Sequence, residues 1–130
     1  MIEPIPEIAV EEPLLRGTRI PHEAFLIIQT GGFNTWLDLE TLFQGLELAM
    51  GADARLHFAA TGGALAGHHS RGFEWFEKAV QASPLRERFH LLGWLPLTDV
   101  PRLMREADLA VNIDVRCAEG LLGCRNRVND

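Results

Sequence analysis

Three observations in this sequence predict an α/β domain built on one parallel sheet. Four short apolar runs alternate with longer segments whose apolar residues recur at helical spacing, the order expected of βαβ units. The runs are apolar throughout instead of alternating with polar residues, which is how strands buried on both faces read. The first three also close on glycine, at Gly31-Gly32, Gly62-Gly63 and Gly93.

Phe25-Leu26-Ile27-Ile28-Gln29-Thr30 is the first expected strand. Leu39, Leu42, Phe43, Leu46, Ala49 and Met50 then share one helical face, with Thr35 or Asp38 placed to cap the start and Gly51 to stop it. The second strand is Leu56-His57-Phe58-Ala59-Ala60-Thr61. Phe73, Phe76, Ala79 and Val80 mark a second helix, which Ser83-Pro84 ends because the residue before proline leaves the α region. Arg88-Phe89-His90-Leu91-Leu92 is the third strand, and His57 and His90 read as satisfied core histidines. Thr98 or Asp99 caps a third helix with Pro101 in its first turn and Val100, Leu103, Met104 and Ala107 on its buried side. The fourth strand, Leu109-Ala110-Val111-Asn112-Ile113, ends at Asp114.

Residues 1–24 follow another pattern. Pro4, Pro6, Pro13 and Pro21 are interspersed with Glu3, Glu7, Glu11 and Glu12, which disfavours both helix and central strand. The expectation is an extended lead-in or interdomain linker over 1–24, with residues 25–130 as the folded unit. Right-handed crossovers then give a three-layer Rossmann-like sheet in the order 3-2-1-4, with helices on both faces. Such sheets bind ligands beyond the carboxyl ends of their strands, near the point where the order reverses. The fourth strand forms an apolar edge, and the unit reads as incomplete at its carboxyl end. Pairing of two copies through that edge is the corresponding expectation for oligomeric state.

A formal net charge of −6 offers no basic patch for nucleic acid or anionic lipid, leaving small molecules and other proteins as the expected partners. Cys117 and Cys124 do not make a disulfide framework and read as free thiols of a reducing cytoplasm. No apolar run approaches the roughly 18 residues of a membrane span. Met1-Ile2-Glu3-Pro4 does not open a signal peptide. No metal is expected, because His68 and His69 are adjacent and lack a third ligand at a recognised spacing. There is no G-x-S-x-G elbow for hydrolase chemistry.

Two segments can carry binding chemistry. Gly31-Gly32-Phe33-Asn34-Thr35-Trp36 joins the first strand to the first helix, where main-chain N–H groups and the helix dipole favour an anion such as a diphosphate. It matches neither G-x-G-x-x-G nor G-x-x-x-x-G-K-[ST], and a tight turn without a ligand accounts for it as well. After the fourth strand, Arg125 and Arg127 offer forked donors for phosphate, and Glu119 and Asp130 offer carboxylates for sugar or ribose hydroxyls. A solvated helix start with local ion pairs explains the same residues. Trp36 and Trp94 fit either core packing or a ligand-stacking role.

Taken together, Gly31-Gly32-Phe33-Asn34-Thr35-Trp36-Leu37-Asp38, Leu91-Leu92-Gly93-Trp94-Leu95-Pro96, Ala107-Asp108-Leu109-Ala110-Val111-Asn112 and the Glu119 to Asp130 segment resemble the carboxyl-terminal domain of group-1-type glycosyltransferases. That resemblance implies half of a GT-B fold, a nucleotide-sugar donor (a UDP-, GDP- or ADP-sugar), retention of anomeric configuration and no bound metal. It implies an acceptor held by an amino-terminal domain, so that the chain alone transfers no sugar. By position, Gly31, Gly32, Phe33, Asn34 and Trp36 would face the diphosphate, and Trp94 with Leu95 the nucleobase. Glu119 matches the first glutamate of the family's E-x7-E pattern, which contacts the transferred sugar. Eight residues later stands Arg127 in place of the second glutamate, with Asp130 left for the ribose and Arg125 and Arg127 for the diphosphate. Two other readings stay open on the residues alone: a non-catalytic α/β regulatory module using Asp114, and a nucleotide-sugar epimerase or dehydrogenase domain.

Overall fold

A computed structural model describes residues 12–31, 33, 37–63 and 71–114. The elements run β1 (Phe25–Gln29), α1 (Leu39–Ala52), β2 (Leu56–Ala60), α2 (Arg71–Ala82), a 3-10 turn (Arg86–Arg88), β3 (Phe89–Leu91), α3 (Asp99–Glu106) and β4 (Leu109–Ala110). All strands are parallel in the order β3-β2-β1-β4. The predicted Rossmann-like α/β arrangement is therefore present. The register of the central pair, Phe25 opposite Leu56 through Gln29 opposite Ala60, brings both strands to the same carboxyl rim.

The central strands β1 and β2 split their side chains between two cores, as the two-residue period of a strand requires. Ile27, Phe58, Ala60 and Phe89 face α1 and α2, where they meet Leu39, Leu42, Leu46, Met50, Phe76 and Val80. Phe43 stacks on Phe89 with ring centroids 5.6 Å apart and meets Phe76 edge-on at 5.9 Å, so aromatic rings fill much of this layer. Leu26, Ile28 and Ala59 face the other way, toward Leu103 of α3 and toward Leu15, Ile20 and Ala24.

Those last three residues lie in the segment expected to be an extended lead-in. Residues 1–11 lie outside the described residues. Residues 12–24 differ from the expectation by folding into a turn, closed by the Thr18, Arg19 and Ile20 N–H groups on the Leu15 carbonyl. The second face explains the difference, since α3 alone leaves part of it bare and Leu15 and Ile20 supply the missing apolar cover. Polar groups hold the turn in place. The Glu106 carboxylate, ending α3, accepts from the main-chain N–H groups of Leu14, Leu15 and Arg16. Arg16 donates to the carbonyls of His22, Ala24 and Glu106 and to the Asp108 carboxylate at 2.7 Å. Asp108 also accepts from the Leu26 N–H at 2.8 Å, and this bond is the largest influence on its pKa, which with help from Arg16 stays below the ordinary value although burial opposes it.

Local signals set the helix boundaries. Asp38, one of two expected caps, accepts from the Thr41 N–H at 3.1 Å and from its hydroxyl at 2.8 Å. Arg88, expected at the start of the third strand, instead ends the 3-10 turn, and its guanidinium donates to the Met50, Asp53 and Leu56 carbonyls. It thereby satisfies a carbonyl of the last turn of α1. Thr98 precedes α3 without a capping bond, while Asp99 pairs with Arg102 at 3.1 Å. The fourth strand is shorter than Leu109–Ile113: after the Val111 N–H bonds to the Ile28 carbonyl, the chain turns so that Asp114 bridges Leu37.

His57 and His90 are each other's partner. Their rings stack with centroids 5.4 Å apart, and Nδ1 of His57 lies 3.1 Å from Nε2 of His90. Burial is the main cause that lowers the pKa of both; the Arg88 charge adds to it for His57, and His57 and then Arg19 add to it for His90, which falls to about 4. A depressed folded-state value means that the fold favours neutral imidazole, so the stabilisation is complete above the free value of 6.5 and declines as pH falls toward about 4. Urea unfolding of the native chain should show stability falling from pH 7.5 to pH 5. His90→Gln should flatten that decline; an unchanged pH dependence would remove the histidine pair as its source. At neutral pH, Glu106→Ala should cost about 2 kcal/mol, because three main-chain donors lose a charged acceptor. The check is a lower urea midpoint at constant m-value.

Candidate functional site

The carboxyl ends of the strands gather four connecting segments into one rim. The order reverses between β1 and β4, which are neighbours in the sheet but far apart in sequence, so the switch point falls at Gln29 and Val111. Three strands are followed by glycines with positive φ: Gly31 at 101°, Gly62 at 82° and Gly93 at 70°. Each lets the chain leave its strand sharply in a conformation that a side chain would strain. The turns are tied together across the rim. Thr61 N–H donates to the Gln29 carbonyl at 3.1 Å, its hydroxyl accepts from the Gly31 N–H at 3.1 Å, and Gly62 N–H donates to the Gly93 carbonyl at 2.7 Å.

Two helices start at this rim in contact with each other. A Cβ placed on Gly72, the second residue of α2, would lie 2.9 Å from Leu39 Cδ1 at the first residue of α1. Gly63 faces the Phe73 ring, and Phe33 packs edge-on against Phe73 with centroids 5.1 Å apart. The amino-terminal ends of both helix dipoles therefore converge near the glycine turns. Charges modify that convergence. Asp38 already caps α1, and Asp99 and Asp114 stand after β3 and β4, with Asp99 paired to Arg102 at 3.1 Å, while Arg71 stands at the head of α2.

The sequence-predicted site residues divide accordingly. Gly31 is on the rim, but its N–H is engaged by Thr61. The Phe33 ring is 4% exposed within the α1/α2 core, and its N–H points to the Gly63 carbonyl at 3.5 Å. Trp94 is 59% exposed directly after the Gly93 turn, while Leu95 packs against the core on the α3 face. Gly32, Asn34, Trp36, Glu119, Arg125, Arg127 and Asp130 lie outside the described residues. Gln29, Thr61 and Arg71 are rim residues that the sequence reading did not single out. A glutamine ending an otherwise apolar strand was the available signal for the first of them.

No known protein family matches the chain, and no curated protein does. Among the described residues no group of three potential metal ligands occurs, and no helix is long and apolar enough to cross a membrane.

The glycines separate a conformational requirement from a packing one. A Cβ on Gly93 meets nothing within 4 Å, so only its positive φ of 70° opposes a side chain. Gly63 lacks that φ, and its Cβ would make an ordinary 3.5 Å contact with Phe73. Gly93→Ala should therefore destabilise by about 1–2 kcal/mol, and Gly63→Ala by less than about 0.5 kcal/mol. Denaturant titration of the two variants checks the order, and equal losses would show that φ does not decide the rim.

Proposed function

We propose that this chain binds a nucleotide-sugar at the carboxyl rim and serves as the donor half of a retaining, GT-B-type glycosyltransferase. The observation that carries the reading is the rim itself: positive-φ glycines follow β1, β2 and β3 along the carboxyl edge of a sheet whose order reverses between β1 and β4, and the exposed Trp94 follows the last of them. Doubly wound sheets bind nucleotides at that place, and an exposed indole offers a face for a base.

Roles follow from chemistry. Trp94 stacks on the nucleobase. The diphosphate lies along the turn after β1, met by the main chain at Gly31 and Gly32 and by Arg71, with Arg125 and Arg127 adding forked donors. Glu119 holds the transferred sugar and Asp130 the ribose. Because the Asp38 carboxylate caps α1, the phosphate charge is balanced mainly by arginine and by turn N–H groups, not by that helix end. The acceptor is held by a second domain facing the crevice, and transfer requires both sides, since orientation and electrostatic stabilisation of the transition state come from each.

Calorimetry with UDP, GDP, ADP and nicotinamide dinucleotides tests the reading. At least one nucleoside diphosphate should bind and the nicotinamide cofactors should not; the reverse result overturns the proposal. Trp94→Ala should weaken the binding about fivefold or more, the scale of one base–aromatic stack.

A further inference from the structure

Gln29 is the one polar residue in the buried part of β1, and it is 3% exposed. By strand alternation its side chain lies on the face of Ile27, beneath α1 and α2, at the carboxyl end of a central strand. Its main-chain carbonyl is satisfied by the Thr61 N–H. Its side-chain Oε1 is buried and accepts no hydrogen bond from any group among the described residues.

A buried acceptor without a donor costs more than an apolar side chain of the same shape, so methionine or leucine would suit this strand better if packing alone decided. Such a cost, kept at the switch point, marks a place where a ligand supplies the missing partner. The chemistry of the amide indicates which kind. An amide oxygen repels phosphate oxygens and takes a donor. A hydroxyl is the ligand group that fits. It serves equally if the amide is turned by half a rotation, because a hydroxyl both donates and accepts.

We infer that Gln29 is a ligand-binding residue that receives a hydroxyl from the neutral, polyol part of the bound nucleotide-sugar instead of its diphosphate. The assignment rests on the nucleotide-sugar reading above. The hydroxyl has two sources, the transferred sugar and the ribose, which the same experiment separates.

The experiment compares the full chain with its Gln29→Met and Gln29→Leu variants, first by thermal unfolding without ligand. It then compares them by calorimetry with UDP, GDP and ADP and with UDP-glucose, GDP-mannose and ADP-glucose. The variants should unfold at the same or a higher temperature and bind about three- to tenfold more weakly, the effect of one lost hydrogen bond. Weakening confined to the sugar-bearing probes identifies the transferred sugar; weakening for both sets identifies the ribose. A lower unfolding temperature of both variants shows that Gln29 has a structural partner and overturns the inference. Unchanged affinity also overturns it while leaving the nucleotide-sugar reading intact. If the native chain binds no probe, that reading falls, and the Gln29 assignment falls with it.

Discussion

β1 lies between β2 and β4 with Leu26, Ile27 and Ile28 all shielded from water, and a central parallel strand of this kind persists only where both faces are covered. On one face the cover is generous, because α1 and α2 lie side by side over Ile27, Phe58 and Phe89. On the other, α3 supplies Leu103, and the turn through Leu15 and Ile20 completes the layer. That turn is short and could not bury its own backbone unaided. Glu106 and Arg16 provide the partners: the carboxylate takes the N–H groups entering the turn, and the guanidinium takes carbonyls leaving it. Asp108 closes the circuit by joining Arg16 to the first N–H of the Leu26 run. The segment before β1, the end of α3 and the approach to β4 thus depend on one set of charge-assisted hydrogen bonds, all at the amino end of the sheet.

This arrangement divides labour between the two ends. Arg16, Arg55 and Arg88 are engaged with carboxylates or carbonyls at the amino end, where they hold turns and helix ends in place. The carboxyl rim is built differently, from glycines, main-chain bonds and one threonine hydroxyl, and leaves Trp94 open to solvent. Stability is concentrated where charges are satisfied, and the rim is left with groups available to a ligand.

The sheet order and all three helices could be read from the sequence because the two periodicities, strand-length apolar runs and helical stripes, point the same way at each element. Asp38 as a cap is readable for the same reason, since a side-chain acceptor three residues before Thr41 has a specific local partner. The turn at 12–24 was hidden because prolines and glutamates describe only what the backbone avoids; that Leu15 and Ile20 reach a sheet face depends on Glu106 and Asp108, about ninety residues away. The early end of β4 had the same origin, since the pairing of Leu37 with Asp114 competes with continued pairing to β1. At the site, glycine positions were readable as turns, but the engagement of the Gly31 N–H by Thr61 was not. A hydroxyl one strand away gives no local signal.

That engagement bears on how a ligand would enter. The first-strand turn of a nucleotide-binding sheet usually presents free N–H groups to phosphate. In this chain the Gly31 N–H is already bonded, the Phe33 N–H points to Gly63, and Asp38 answers the positive end of α1. A diphosphate placed there must exchange these bonds for its own, so binding at this turn includes a local rearrangement whose cost is offset by what the ligand brings. The exchange is selective. An anion alone displaces Thr61 and meets Asp38 at a disadvantage, whereas a ligand that also stacks on Trp94 and gives a hydroxyl to Gln29 draws on groups that the ligand-free fold leaves unused. On the proposed function, recognition of the neutral parts of the ligand would set whether the charged part is accommodated, and so let the site distinguish a nucleotide-sugar from free phosphate.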